Sequence, residues 1–177
     1  LALAGAEVGA IPRPASPDPL ARLFGMYELR ENSIAGALCL LLAATGLGTL
    51  GWAWASVGRH LSGVSPGQLW RLAGLWALPL AIAPPMFSGD VYAYEGQGRL
   101  VLHNIDPYEF GPGSYEPTSP WSYNIDGQWR FAPSPYGPLW LRLAACLTQL
   151  SGERPILAMF MVRALCVLCL VVCGWAL

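Results

Sequence analysis

The sequence predicts an all-helical membrane protein with several transmembrane helices, and two observations support this fold class. Hydrophobic residues make up 54% of the 177 residues and charged residues only 12%, about half the charged share of an average soluble domain. Long apolar runs also alternate with short polar or proline-rich connections, which is typical of a transmembrane helical bundle. The net charge is −1. We therefore expect membrane lipids as its surroundings and no nucleic-acid partner.

Four segments are predicted to form transmembrane helices. The run from Ile34 to Ser56 is uncharged and long enough to cross a hydrocarbon core, which takes about 20 helical residues. The second run ends at Pro84-Pro85, because proline stops a helix. The third is short and contains Arg142, so it needs Tyr136 and Trp140 to anchor it at the interface. The fourth contains Arg163, which near the membrane must face protein, water or a phosphate. The predicted spans are residues 34–56, 72–88, 138–152 and 155–177.

The charges of the connecting segments predict the orientation. Residues 57–71 carry two arginines and no acid, whereas residues 87–137 carry six acids against two arginines, a balance of −4. By the positive-inside rule, 57–71 is the cytoplasmic loop and 89–137 an extracytoplasmic loop of a plasma-membrane protein. Residues 1–33 are expected to hold the end of a preceding span and an extracytoplasmic connection. The chain lacks an initial Met and stops in an apolar run, so we expect a fragment of a longer protein.

The five cysteines all lie within apolar segments. Cys166, Cys169 and Cys173 share one helical face, but no histidine accompanies them, and thiolates in hydrocarbon are costly. We therefore expect small hydrophobic packing residues, no metal site and no cofactor.

The most informative motif follows the second span. Asp90 lies where the chain leaves the membrane, a position at which a carboxylate is costly and is often used for proton chemistry. It could instead cap the next helix. Residues 90–101 are predicted to form a short interfacial helix that places Asp90, Tyr94 and Gln97 on one face. Such a face can bind a sugar hydroxyl and take up its proton. We also expect Glu95 and Arg99 to form an exposed i, i+4 pair.

The rest of the loop offers further candidates. Asp106 precedes Pro107 and is either a second acid or a simple turn cap. Aromatic residues are dense between Gly111 and Pro138, where their rings could lie against the C–H faces of a sugar or simply against lipid headgroups. Composition does not decide between these alternatives.

Three motifs together resemble the polyprenol-phosphate-mannose-dependent α-(1→6)-mannosyltransferases, a membrane family of the GT-C superfamily. They are Phe87-Ser88-Gly89-Asp90-Val91-Tyr92-Ala93-Tyr94, Asp106-Pro107-Tyr108 and Ser134-Pro135-Tyr136-Gly137-Pro138-Leu139, with Gly96-Gln97-Gly98 between the first two. The resemblance covers most of the chain. Gly89 departs from the basic residue that the family pattern leads us to expect before the aspartate.

The resemblance implies a GT-C-like helical bundle and an inverting transferase. The donor would be polyprenyl-phosphate-mannose, and the acceptor a mannan or lipoglycan. Asp90 would be the general base that deprotonates an acceptor hydroxyl while polyprenyl phosphate leaves. Arginines could neutralise that leaving phosphate, with Arg99 and Arg130 as candidates within the loop and Arg163 as a third. The candidate substrate-binding residues are Tyr94, Gln97, Arg99, Asp106, Tyr108, Arg130 and Tyr136.

Two alternatives remain open on the residues alone. One keeps the architecture and changes the sugar or acceptor, as in an arabinosyltransferase or a protein O-mannosyltransferase that uses a lipid-phosphate sugar. The other is a transporter-like membrane protein whose acidic loop guards an entrance. Against the transporter, the charges concentrate in the outer loop, and only Arg142 and Arg163 lie inside predicted spans.

Overall fold

A computed structural model describes residues 33–83, 85, 89–119, 122 and 125–176 of the chain. Within these ranges the protein is helical and contains no strand, which confirms the all-helical prediction for the described residues. The described residues fall into two compact units, one up to residue 85 and one from residue 89 onward.

The described part of the first unit consists of two long helices joined by a short turn. Helix α1 spans Ser33–Arg59, a 3-10 turn follows at Leu61–Gly63, and helix α2 spans Pro66–Ile82. α2 begins earlier than the predicted span because Ser65 and Gln68 form a capping box, in which the backbone N–H of Gln68 donates to Ser65 Oγ at 3.3 Å. An apolar groove, lined by residues of both helices including Trp54 and Trp76, separates α1 from α2.

In the second unit, five helices have bounds within the described residues, and the unit also holds the candidate loop. Helix α3 spans Asp90–Leu102, close to the predicted 90–101, and is followed by two single-turn helices, α4 (Pro112–Tyr115) and α5 (Gly127–Arg130). Helix α6 spans Pro138–Leu150 and helix α7 spans Pro155–Ala176. Proline occupies the first turn of α6, where its missing N–H costs no hydrogen bond.

Helix α3 lies at the centre of the second unit. It packs most extensively on α6, and α7 and the single turn α4 also contact it. Gly98 permits the close approach to α6, because a Cβ at this position would lie 2.6 Å from the backbone carbon of Ala144. Gly96 does the same for the loop: its Cβ would lie 2.8 Å from Cβ of Pro112. The two glycines therefore let α3 be covered closely on both sides of Gln97.

Two helices of the described part are long and apolar enough to cross a membrane, namely α1 and α7. Helix α6 has 13 residues and extends about 20 Å, less than the roughly 30 Å of a hydrocarbon core. The proposed spans 72–88 and 138–152 thus correspond to helices shorter than the other two, and their crossing of a membrane stays a prediction.

Candidate functional site

A cleft in the second unit brings together two separate stretches of chain. One wall is a face of α3, and the other is the segment that runs from the end of α5 to the start of α6. Its empty space, open mouth included, is about 340 Å³. Four of the residues predicted from the sequence line this cleft: Asp90, Tyr94, Gln97 and Tyr136.

Asp90 is the first residue of α3, and the N-cap position belongs to Gly89. The carboxylate therefore does not occupy the capping position that the sequence left open as its alternative role. It is half-buried and lies on the wall of the cleft. An ionised carboxylate in a cleft is able to accept a proton from a bound hydroxyl group.

Tyr94 lies one turn further along the same face. Its ring makes edge-to-face contacts with Tyr136 at 5.3 Å and with Trp140 at 5.4 Å between centroids. Burial first, and then a hydrogen bond with Tyr136 and the negative charges nearby, raise the pKa of the Tyr94 phenol to about 12. The phenol therefore keeps its proton at neutral pH and remains a hydrogen-bond donor.

Gln97 completes the α3 face of the cleft. The residue is buried, and its Oε1 accepts a hydrogen bond from Ser134 Oγ at 2.9 Å. The backbone N–H of Tyr136 in turn donates to Ser134 Oγ at 3.2 Å. The loop segment and α3 are thereby joined inside the cleft by a short chain of hydrogen bonds.

Arg99 does not line the cleft. Its Nε donates to Glu153 at 2.7 Å, its other nitrogens bind Glu116, and its guanidinium lies 5.8 Å from the centroid of the Tyr115 ring. Burial tends to lower the Arg99 pKa, but the hydrogen bonds to the two carboxylates outweigh it and raise the pKa above its ordinary value. This cluster ties the end of α3 to the loop and to the turn between α6 and α7.

The predicted exposed pair between Glu95 and Arg99 is wrong. Glu95 is 1% exposed, and neither of its carboxyl oxygens has a hydrogen-bond partner among the described residues. Burial raises the pKa of this carboxyl well above its usual range. The physical reason is tertiary: α6 covers this part of α3, with Thr148 donating to the backbone carbonyl of Glu95 at 3.4 Å.

The remaining candidates lie outside the cleft. Asp106 is exposed and accepts the backbone N–H of Tyr108 at 2.8 Å, the turn geometry that the sequence offered as the alternative to an acid role. Tyr108 is 47% exposed. Arg130 ends α5 and is half-buried, with one nitrogen donating to the Ile125 carbonyl at 3.4 Å.

Trp129 and Ser134 were not among the candidate substrate-binding residues. Trp129 lines the cleft, and Ser134 lies behind it and donates a hydrogen bond to Gln97. The dense aromatic composition of the loop was the signal for Trp129, and the Ser-Pro-Tyr motif was the signal for Ser134. Neither signal could tell which of several aromatic rings reaches the cleft or which hydroxyl group binds Gln97.

Some predicted elements lie outside the described residues. They include most of the segment 1–33, together with Pro84, Met86, Phe87 and Ser88 ahead of Asp90, and Trp121 and Tyr123 in the loop.

The comparisons with known proteins all point to one family. A family model described as "Alpha-(1->6)-mannopyranosyltransferase, N-terminal domain" matches residues 1–177. The chain is 35% identical, over 83% of its length, to a protein of Mycolicibacterium smegmatis named "probable alpha-(1->6)-mannopyranosyltransferase". It is 34% identical, over 96% of its length, to an alpha-(1->6)-mannopyranosyltransferase of Mycobacterium tuberculosis. No solved structure matches the chain.

The chain spans only part of these relatives, 26% of the first protein and 29% of the second. The family match nevertheless extends from residue 1 to residue 177, and so includes Asp90 and the loop that forms the cleft. The chain therefore belongs to the α-(1→6)-mannopyranosyltransferase family, in the part that corresponds to its N-terminal domain.

Proposed function

We propose that this chain is the acceptor-activating part of a membrane mannosyltransferase. The enzyme transfers mannose from polyprenyl-phosphate-mannose to a mannan or lipoglycan acceptor and forms α-(1→6) links. The observation that carries the proposal is the cleft, in which the Asp90 carboxylate lies beside the phenol of Tyr94 and the amide of Gln97 in a member of this family.

The proposed reaction is a single displacement. The Asp90 carboxylate takes the proton of an acceptor mannose hydroxyl, and the hydroxyl oxygen attacks the anomeric carbon of the donor. The bond from that carbon to the phosphate oxygen breaks, and polyprenyl phosphate leaves with the electron pair. Attack opposite the leaving group converts a β-linked donor into an α-linked product.

The surroundings of Asp90 suit a base of this kind. The Tyr94 phenol, with its pKa of about 12, stays neutral and can donate a hydrogen bond to a sugar oxygen while Asp90 accepts one. Two apolar helices, α1 and α7, are long enough to hold the protein in a membrane, where a lipid-linked donor resides. We place the protein in the plasma membrane, with the cleft on the extracytoplasmic side, on the strength of the loop charges.

The test is sugar transfer by Asp90→Asn in the full-length protein. Asparagine keeps the size and polarity of the side chain but cannot take up the proton, so turnover should fall by about 10²–10⁴-fold. Membranes containing the protein would receive radiolabelled polyprenyl-phosphate-mannose and a mannan acceptor, and the radioactivity in the glycan would be counted.

A matched control is Asp126→Asn, which changes an exposed carboxylate of the same loop that does not line the cleft. It should transfer mannose at the wild-type rate. Near-normal turnover by a well-inserted Asp90→Asn protein would remove Asp90 from the reaction. If the wild type transferred sugar only from a polyprenyl-phosphate-arabinose donor, the transferred sugar would be arabinose and not mannose.

A further inference from the structure

Helix α6 packs on α3 through residues near both of its ends. Near its start, the ring of Trp140 lies 5.4 Å from that of Tyr94 between centroids. Near its end, Thr148 Oγ1 donates to the backbone carbonyl of Glu95 at 3.4 Å. α6 therefore lies against α3 over most of its length.

A charged cluster joins three separate stretches of chain at the end of this contact. Glu153, in the turn between α6 and α7, accepts a hydrogen bond from Arg99 Nε at 2.7 Å. Glu116, in the loop after α4, accepts from two other nitrogens of the same guanidinium, one of them at 3.3 Å. Nε2 of His103 lies 3.6 Å from Glu153. One arginine thus holds a carboxylate that precedes α6 and a carboxylate that follows it.

The chain between these two carboxylates has one segment long enough to be considered as a membrane crossing. Because backbone polar groups cannot stay unpaired in lipid, a crossing of this kind has to be helical. Among the described residues between 117 and 137 the only helix is the single turn α5, which leaves α6. A crossing by α6 alone would place Glu116 and Glu153 on opposite sides of a hydrocarbon core of about 30 Å. One guanidinium cannot bind carboxylates that far apart.

The outward surface of α6 also differs from that of α7. Arg142 and Gln149 are exposed on α6, and charged side chains that face hydrocarbon are costly. The exposed residues of α7 beyond Arg163 are all uncharged. The second part of α7 therefore suits lipid surroundings, and the exposed face of α6 suits a polar interface.

We propose that α6 does not cross the membrane, and that both of its ends lie on the same side as the loop that forms the cleft. This inference replaces the crossing predicted for residues 138–152 and does not depend on the transfer of mannose. α7 is then the helix that enters the membrane from the side of the cleft.

The position of Arg163 follows from this arrangement. Arg163 lies about 12 Å along the helix axis from Pro155, where α7 begins. It is therefore in the half of the bilayer nearest the cleft, whereas a crossing by α6 would place it in the opposite half. The cleft side is where Arg163 has to lie if it is to meet the phosphate of a donor bound at the cleft.

Cysteine labelling of the full-length protein in intact cells tests this placement. Gln149→Cys and Arg154→Cys change exposed residues at the end of α6 and just before α7, in a background without the native cysteines. Both should react with a membrane-impermeant maleimide to an extent comparable with Ser114→Cys, an exposed position in the loop. Lysed cells are the control, because all three should then react.

The agreement between positions decides the outcome. If Gln149→Cys and Arg154→Cys are shielded in intact cells while Ser114→Cys reacts, α6 crosses the membrane and the inference is wrong. If all three are shielded and Gly63→Cys reacts, the whole orientation is inverted, but both ends of α6 still lie on the side of the loop.

A cross-link between the two carboxylate positions gives an independent measurement. Glu116→Cys and Glu153→Cys, combined in one protein, place two thiols where both carboxylates bind Arg99. In opened membranes, a bis-maleimide much shorter than the hydrocarbon core should join them, and mass spectrometry would detect the linked peptides. Gly63→Cys combined with Glu153→Cys is the control and should give no link. The absence of a link in a well-inserted Glu116→Cys, Glu153→Cys protein would overturn the inference, and the single-cysteine labelling decides if this double variant fails to insert.

Discussion

At the scale of single residues, the largest departure from the sequence-based expectation is Glu95. The i, i+4 spacing to Arg99 predicted a local pair, but Arg99 binds Glu116 and Glu153, which lie 17 and 54 residues further along the chain. Local spacing carries no information about such distant partners. By contrast, the shared face of Asp90, Tyr94 and Gln97 follows from helical periodicity alone, and it is the face that lines the cleft.

The buried Glu95 carboxyl predicts a pH dependence of stability. Because its pKa is raised in the folded protein, the folded state holds a proton that the unfolded state has already lost. This contribution is complete below the ordinary carboxyl pKa and is lost as the pH rises toward the folded value. The glutamine in Glu95→Gln does not titrate, so the thermal unfolding temperature of this variant should fall less than that of the wild type between pH 5 and pH 8. This range lies above the ordinary pKa of a glutamate, which is about 4.3.

Thermal unfolding of the full-length protein in detergent would measure this difference. Glu109→Gln, which removes an exposed carboxyl of the same loop, serves as the control and should follow the wild-type profile. Parallel profiles for Glu95→Gln and the wild type would show that Glu95 is ionised in the folded protein.

At the scale of elements, helix boundaries followed proline and glycine signals well. α6 begins at Pro138, directly after Gly137, and the helix predicted from Asp90 to Val101 is one residue longer, ending at Leu102. The sequence also contains a signal for the early start of α2, the Ser65-x-x-Gln68 pattern of a capping box. What the sequence could not reveal is the pairing of α3 with α6, because Gly98 shows that a close approach is possible but not that its partner is the backbone of Ala144.

Gly98→Ala should therefore separate α3 from α6. The added methyl group would meet the Ala144 backbone, which cannot rotate away as a side chain could, so we expect a loss of about 1–3 kcal/mol of stability. Gly74→Ala in α2, where nothing lies within 4 Å of the added carbon, is the control and should gain up to about 1 kcal/mol. Equal unfolding temperatures for the two variants would contradict the close contact between α3 and α6.

At the scale of the whole molecule, the orientation rests on the loop charges and is open to direct test. We expect Gly63→Cys, in the turn between α1 and α2, to be shielded in intact cells, and Ser114→Cys, in the loop, to react with a membrane-impermeant maleimide. Nothing lies within 4 Å of a Cβ at residue 63, and Ser114 is exposed, so neither change should disturb the fold.

The labelling needs a background without the five native cysteines, four of which are exposed in the structure. Lysed cells provide the control, because both positions should then react. Reaction of residue 63 in intact cells, with residue 114 shielded, would invert the topology and place the cleft in the cytoplasm.

The glycines on either side of Gln97 also have a consequence at the level of the gene. Every amino-acid substitution that a single base change can produce in a glycine codon introduces a Cβ. At residue 98 that carbon would meet the backbone of Ala144, and at residue 96 it would meet Pro112 and Ile125. Random mutagenesis should therefore find no missense change at residue 98 that avoids the backbone clash, whereas Gln97 between them can be varied to probe the cleft.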